Sequence, residues 1–207
     1  MTDAPRALRD PAEIARRRAM LALPHIAPLA AGVDRIRAAG LPGDVVPDLD
    51  PLDGGAEARI LFLMEKPGPG AARTGFVSRD NDDPTAEASW RFMQDAGLAR
   101  GDVAVWNTAP WWNGTIRFTA AERARGLATL PAMLDLMPRL EAAVTVGRQA
   151  ARAAPMLKGR GLRLYASAHP SPQVRAGNHA LWRAIPAVWR EAGESLPPRV
   201  APEDRSR

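Results

Sequence analysis

Four short runs with strand character, separated by stretches of helical spacing, constrain this chain more than any other feature. They are Arg59-Ile-Leu-Phe-Leu-Met64, Asp102-Val-Ala-Val-Trp-Asn107, Ala142-Ala-Val-Thr-Val146 and Leu162-Arg-Leu-Tyr-Ala-Ser167. The first is a short, continuous apolar run of the sort found in a strand covered on both faces. Helical patterns alternate with these runs. One spans Pro84 to about Ala96 and closes at Gly97; another starts from the capping-box pair Thr119 and Glu122 and reaches about Met137. Gly147 opens a third through about Ala154, and Asn178 caps a last helix to about Ala192. Strands alternating with helices specify an α/β fold: a three-layer α/β/α sandwich around a central, mostly parallel four-stranded sheet.

Upstream, residues 11–39 read as helix, with Pro11 in a first turn, divisions at Pro24 and Pro28, and a stop at Gly40. Residues 41–58, rich in Pro, Gly and Asp, read as a linker. The expected organisation is an N-terminal helical extension over 1–45, an α/β domain over 58–193 and a polar tail over 194–207. A chain of 207 residues buries enough surface to be stable without metal or disulfide. It contains no cysteine, which excludes disulfides, Cys-ligated zinc, iron–sulfur clusters and a thiolate nucleophile. Its three histidines are far apart, so no metal site and no cofactor are expected. No apolar run approaches the roughly 18 residues of a membrane span. Asp3, Asp10 and Glu13 fit neither a signal nor a transit peptide, so a cytoplasmic monomer is expected.

Charge is unevenly divided. Residues 1–115 hold 13 basic and 16 acidic groups, whereas residues 116–207 hold 15 and 7, a net of eight positives. Clustered positive charge suits a polyanion such as nucleic acid. The bland alternative is arginine-rich coding, since 26 of the 28 basic residues are Arg.

In parallel α/β sheets, ligands bind beyond the carboxyl ends of the strands. Three unusual loops are placed there: Glu65-Lys-Pro-Gly-Pro-Gly-Ala71, Asn107-Thr-Ala-Pro-Trp-Trp-Asn-Gly114 and His169-Pro-Ser-Pro172. A Pro-Gly loop after the first strand, an Asn ending the second and a His-Pro-Ser-Pro loop after the fourth together resemble the uracil-DNA glycosylase superfamily, over about residues 59–192.

The resemblance implies an enzyme that flips a nucleotide out of DNA and hydrolyses its glycosidic bond, leaving an abasic site. His169 aligns with the histidine that hydrogen-bonds uracil O2, a donor typically worth about 2.7–4 kcal/mol in the transition state. Asn107 aligns with the asparagine that reads the base edge, accepting from N3–H and donating to O4. Phe76, in Thr74-Gly-Phe-Val77, is similar to the stacking phenylalanine, although a Phe is more often core. Glu65 matches the acidic catalyst of the branch with a Gly-Glu-Ala-Pro-Gly loop; the ordinary alternative is a surface pair with Lys66. That branch carries a four-cysteine iron–sulfur cluster, which this chain departs from. Gly68 stands where some relatives place a tyrosine that excludes the thymine methyl. Lys66, Ser171 and Arg175 are expected on phosphates, with Gln173 or Val174 as a wedge into the duplex; a lysine at an abasic product also invites strand-cleavage chemistry. Trp111 and Trp112 wall the pocket or anchor their loop, while Trp90, Trp182 and Trp189 are expected to pack on helices.

Other readings fit the same residues. They are a glycosylase for hypoxanthine, xanthine or mismatched thymine, a catalytically inactive DNA-binding relative, and a phosphate-loop nucleotide binder. The last lacks either glycine-rich phosphate-binding pattern.

Overall fold

A computed structural model describes residues 4–198. Its central sheet contains β2 (Ile60–Met64), β4 (Val103–Asn107), β5 (Ala142–Val146) and β6 (Arg163–Ser167), in the order β4-β2-β5-β6. All three pairings are parallel. Each strand begins within one residue of the expected run. The apolar runs form strands because helices cover both faces and leave β2, β4 and β5 almost wholly buried.

The covering helices are α4 (Pro84–Asp95), α5 (Ala120–Leu134), α6 (Ala154–Gly159) and α8 (His179–Glu194). Asp83 caps α4, the Thr119–Glu122 capping box starts α5, and Asn178 caps α8. Trp189 of α8 lies edge-on to Phe62 of β2 at 4.8 Å, and its indole donates to Ser167 Oγ at 2.9 Å. Trp182 packs edge-on to Phe92 at 4.7 Å.

Several local expectations change. Gly147 has φ +93° and opens a turn rather than a helix; a 3-10 turn over Ala150–Ala153 precedes α6. The Pro-Gly loop is not wholly irregular, because Pro69 supplies a preset first turn to the short helix α3 (Pro69–Thr74), which ends at Gly75 with φ +83°. The chain that follows the His169-Pro-Ser-Pro172 loop forms the short helix α7 (Pro172–Gly177).

The largest difference lies upstream. Helices α1 (Pro11–Ala19) and α2 (Ala27–Ala38) form where the helical spacing predicts, and α2 sends Ile26-flanked Leu29 and Val33 into the same core as the sheet. Residues 41–58, expected as a linker, are largely exposed as far as Val45, but from Val46 onward the segment runs largely through the interior. Val46, Asp48, Leu49, Asp50 and Asp53 are buried, and the two-residue strand β1 (Asp48–Leu49) pairs with β3 (Phe76–Val77). Gly54 N–H donates to Val103 O at 2.8 Å, so this segment covers the otherwise open edge of β4.

A buried arginine–aspartate network fixes that arrangement. Arg17 of α1 is fully buried and donates to Glu13, Asp50, Ser78 and Asp80. Arg100 donates to Asp50 at 2.9 Å, Asp53 at 2.9 Å and Asp80 at 2.8 Å. Charges can stay in such an interior only when paired and hydrogen-bonded. Nothing in the Pro-, Gly- and Asp-rich composition of 41–58 announces this burial.

Candidate active site

The register that pairs Met64 with Asn107 brings the ends of β2 and β4 side by side. Beyond them the chains stay joined: Thr108 N–H donates to Met64 O at 2.9 Å and Ala109 N–H to Glu65 O at 3.0 Å. Helix α5 presses on this turn so closely that a Cβ at Gly126 would lie 2.1 Å from Thr108 O. Asn107 is therefore held rigidly. It is 3% exposed, and its Nδ2 is buried without a hydrogen-bond partner. An unsatisfied buried amide costs about 1–3 kcal/mol, and native structures keep few of them.

Glu65 leaves the adjacent strand and turns toward the end of β5. Its Oε1 accepts from Gln149 N–H at 2.9 Å, and Gln149 in turn accepts from Arg123 at 2.8 Å. At Gly147 a Cβ would lie 2.5 Å from that same Oε1, so glycine there is required both by the positive φ and by the carboxylate. Sequence reading took Gly147 only as a helix opener and missed Gln149.

His169 follows β6. Burial holds its pKa below the usual 6.5, while the negative charges of Glu65 and Asp83 pull the other way. Desolvation wins, so the imidazole is neutral and able to donate a hydrogen bond without carrying charge. Asp83 is the residue that caps α4. Its Oδ1 accepts from Thr85 and Ala86 at the start of α4, and its Oδ2 lies 2.9 Å from where a Gly70 Cβ would be.

Phe76 is 1% exposed on β3; Asn81 Nδ2 donates to its carbonyl at 2.9 Å and accepts from Thr74 at 2.7 Å through Oδ1. Phe76 and Asn107 are thus both closed off from solvent. Grooves of about 480 Å³ against residues 4–13 and about 410 Å³ between α4 and α8 contain none of the site residues. Gly68 caps α3, and a Cβ there would meet nothing within 4 Å.

Two expectations for the rim are altered. Lys66 does not project toward solvent: its side chain is 5% exposed, and its ammonium donates to Asn113 Oδ1 at 2.6 Å, Glu122 Oε1 at 2.7 Å and Arg117 O at 3.2 Å. Partial burial opposes ionisation of Glu122, but Lys66 and Thr119 outweigh it and hold the carboxyl at about 2. Ser171 accepts from Val174 N–H at 3.4 Å as the cap of α7. Gln173 and Arg175 are exposed and Val174 half-buried on that helix, with the Arg175 guanidinium 5.0 Å over Trp182. Trp111 is 2% exposed and lies under Arg125 at 3.5 Å, so it anchors its loop to the core.

A family model described as the uracil DNA glycosylase superfamily matches residues 51–192. The chain belongs to that superfamily. Family membership supports DNA as the partner and glycosylase chemistry as the reaction class. Among solved structures, it is similar to an NMR structure of a candidate uracil DNA glycosylase from Methanosarcina acetivorans. That match has 16% identity and a TM-score of 0.44, covering 66% of this chain and 91% of the other. It is also similar to the UNG crystal structure from Nitratifractor salsuginis, at 15% identity and a TM-score of 0.42, covering 90% and 98%. No curated protein matches the chain.

The iron–sulfur cluster of the glutamate branch does not fit this member. Four thiolates are needed to hold it, and the sequence contains no cysteine. Among the described residues there is also no group of three or more His, Asp or Glu placed to hold a metal ion. No helix among them is long and apolar enough to cross a membrane.

Proposed function

We propose that the chain is a monofunctional DNA glycosylase that excises uracil. Asn107 reads the base, Phe76 stacks on it, His169 stabilises the leaving base and Glu65 activates water. The single observation that carries this reading is the buried Asn107 carboxamide at the end of β4, whose Nδ2 has no hydrogen-bond partner among the described residues. Uracil O4 is an acceptor matched to that amide, whereas cytosine would present a donor and leave both groups unsatisfied.

In this mechanism the N1–C1′ bond breaks and its electron pair leaves with uracil. Negative charge gathers on O2, where neutral His169 donates a hydrogen bond. Water adds its oxygen to C1′ and gives a proton to Glu65, held in place by Gln149 N–H. Protonation of the departing uracil and release of the abasic sugar complete the balance. The three acceptors around the Lys66 ammonium do not place it as a nucleophile, which supports hydrolysis without strand cleavage.

The decisive experiment measures free uracil released from a uracil-containing oligonucleotide. His169→Ala is expected to lower the rate about 10²–10³-fold, and Asn107→Ala to lower it comparably while relaxing discrimination against cytosine. Because burial depresses His169, the rate holds at neutral pH and falls only as pH drops below 6.5 and the ring gains a proton. Wild-type protein releasing no uracil from single- or double-stranded DNA at any salt concentration overturns the assignment. The open space at Gly68 favours one second reading, excision of a thymine from a mismatch or of a larger damaged base. Thymine, hypoxanthine and xanthine substrates in the same assay separate it from uracil specificity.

A further inference from the structure

We infer that the loop between β4 and α5 is a duplex-insertion element, in which Ile116 enters the base stack and Arg117 meets a phosphate. This rests on the DNA glycosylase reading and assigns the wedge to a loop other than the one expected from the sequence.

Ile116 is 79% exposed, more than Leu41 at 60%, Leu181 at 54%, Val45 at 43% or Leu23 at 39%. It does not sit on a loose segment. Before the tip, Trp112 and Val45 exchange backbone hydrogen bonds at 2.8 Å in each direction, and Trp111 is buried under Arg125. After the tip, the buried Lys66 ammonium grips Arg117 O and Glu122, and Asn113 bonds both Lys66 and Glu122. Gly114, with φ +84°, turns the chain outward between these anchors. The stem is fixed, and an apolar side chain stands in water at its end. A preorganised tip loses little freedom on binding, and apolar wedges are a known means of unstacking and kinking DNA.

Charge on the same end of the sheet names the occupant. Arg117 follows β4, Arg148 follows β5 and Arg175 lies on α7 after β6, so all three stand beyond the carboxyl ends of the strands. They are exposed, and none has a carboxylate within ion-pair distance among the described residues. Guanidiniums without carboxylate partners on the end of the sheet that also carries the apolar tip suit a phosphate backbone flanking a base stack. The alternative wedges on α7 are less suited: Gln173 is polar, and Val174 is half-buried with its N–H in the Ser171 cap.

The test uses full-length protein and a duplex carrying 2′-fluoro-2′-deoxyuridine, which resists cleavage, beside 2-aminopurine as a fluorescent reporter of unstacking. Wild-type binding is expected to raise the fluorescence, Ile116→Ala to abolish the rise and Ile116→Leu to restore it. Excision of uracil from duplex is expected to fall about tenfold in Ile116→Ala, with excision from single strands within about twofold of wild type. No fluorescence rise in the wild type, an unchanged rise in Ile116→Ala, or equal losses on single and double strands overturns the inference. Wild-type protein that releases no uracil overturns the excision reading alone, because the fluorescence arm reports insertion without turnover.

Discussion

Two arginine-rich regions of this molecule use the same side chain in opposite ways. At the network joining α1, residues 50–53, residues 78–80 and Arg100, guanidiniums are buried and matched to carboxylates. Along the carboxyl ends of the strands, Arg117, Arg148 and Arg175 are exposed and lack such partners among the described residues. Arginine-rich coding accounts for the number of arginines but not for this segregation. The first set organises the chain; the second is left available for a polyanion. Net charge by half of the sequence averages over both sets, and the informative quantity is charge that no carboxylate already neutralises.

The comparison breaks first at Arg17. Arg17→Met leaves Asp50 and Asp80 buried with half their compensation, and the expected loss of folding stability is about 3–5 kcal/mol. Urea unfolding followed by circular dichroism measures it; a loss below about 1 kcal/mol would remove the network from its organising role.

A smaller and pH-dependent effect belongs to Asp53. Burial raises its pKa to about 7, with Asp50 and Asp80 adding to the rise and Arg100 and Arg79 opposing it. A carboxyl whose folded pKa exceeds its ordinary 3.8 contributes stability below 3.8 and loses it as pH rises through about 7. Wild-type stability therefore declines through that window, by at most about 1.4 kcal/mol per pH unit from this group. Asp53→Asn is expected to lack that part of the decline, as measured by parallel unfolding curves at several pH values. Identical pH slopes for the two proteins would remove Asp53 as a source.

The smallest stability effect is expected at the rim. Arg148→Gln should change folding stability by no more than about 0.5 kcal/mol. It should nevertheless weaken DNA binding and lower the slope of log affinity against log salt by about one. A destabilised variant with an unchanged salt slope would erase the distinction between the two arginine sets.

Much of the fold was legible because its signals are local. The apolar run at Ile60–Met64, the Thr119–Glu122 capping box and the Asn178 cap each declare themselves within a few residues. The placement of Glu65, Asn107 and His169 at or just beyond strand ends was legible for the same reason; in parallel sheets that edge is where ligands bind. Their supports were not legible. Gly147 and Gln149 act on Glu65 across more than 80 positions, and Lys66 meets Glu122 across 56. Such partners become neighbours only through strand order, which a turn glycine or a surface lysine does not announce.

The sequence by itself determined the parallel sheet, the end of it at which Glu65, Asn107 and His169 stand and the absence of any thiolate, because periodicity, strand ends and composition are properties of short stretches or of the whole count. Only the tertiary structure decided that residues 46–58 run largely through the interior, that Lys66 anchors a loop and that Ile116 stands at its tip. Burial and charge pairing depend on what packs against a residue, and that is set by segments distant along the chain.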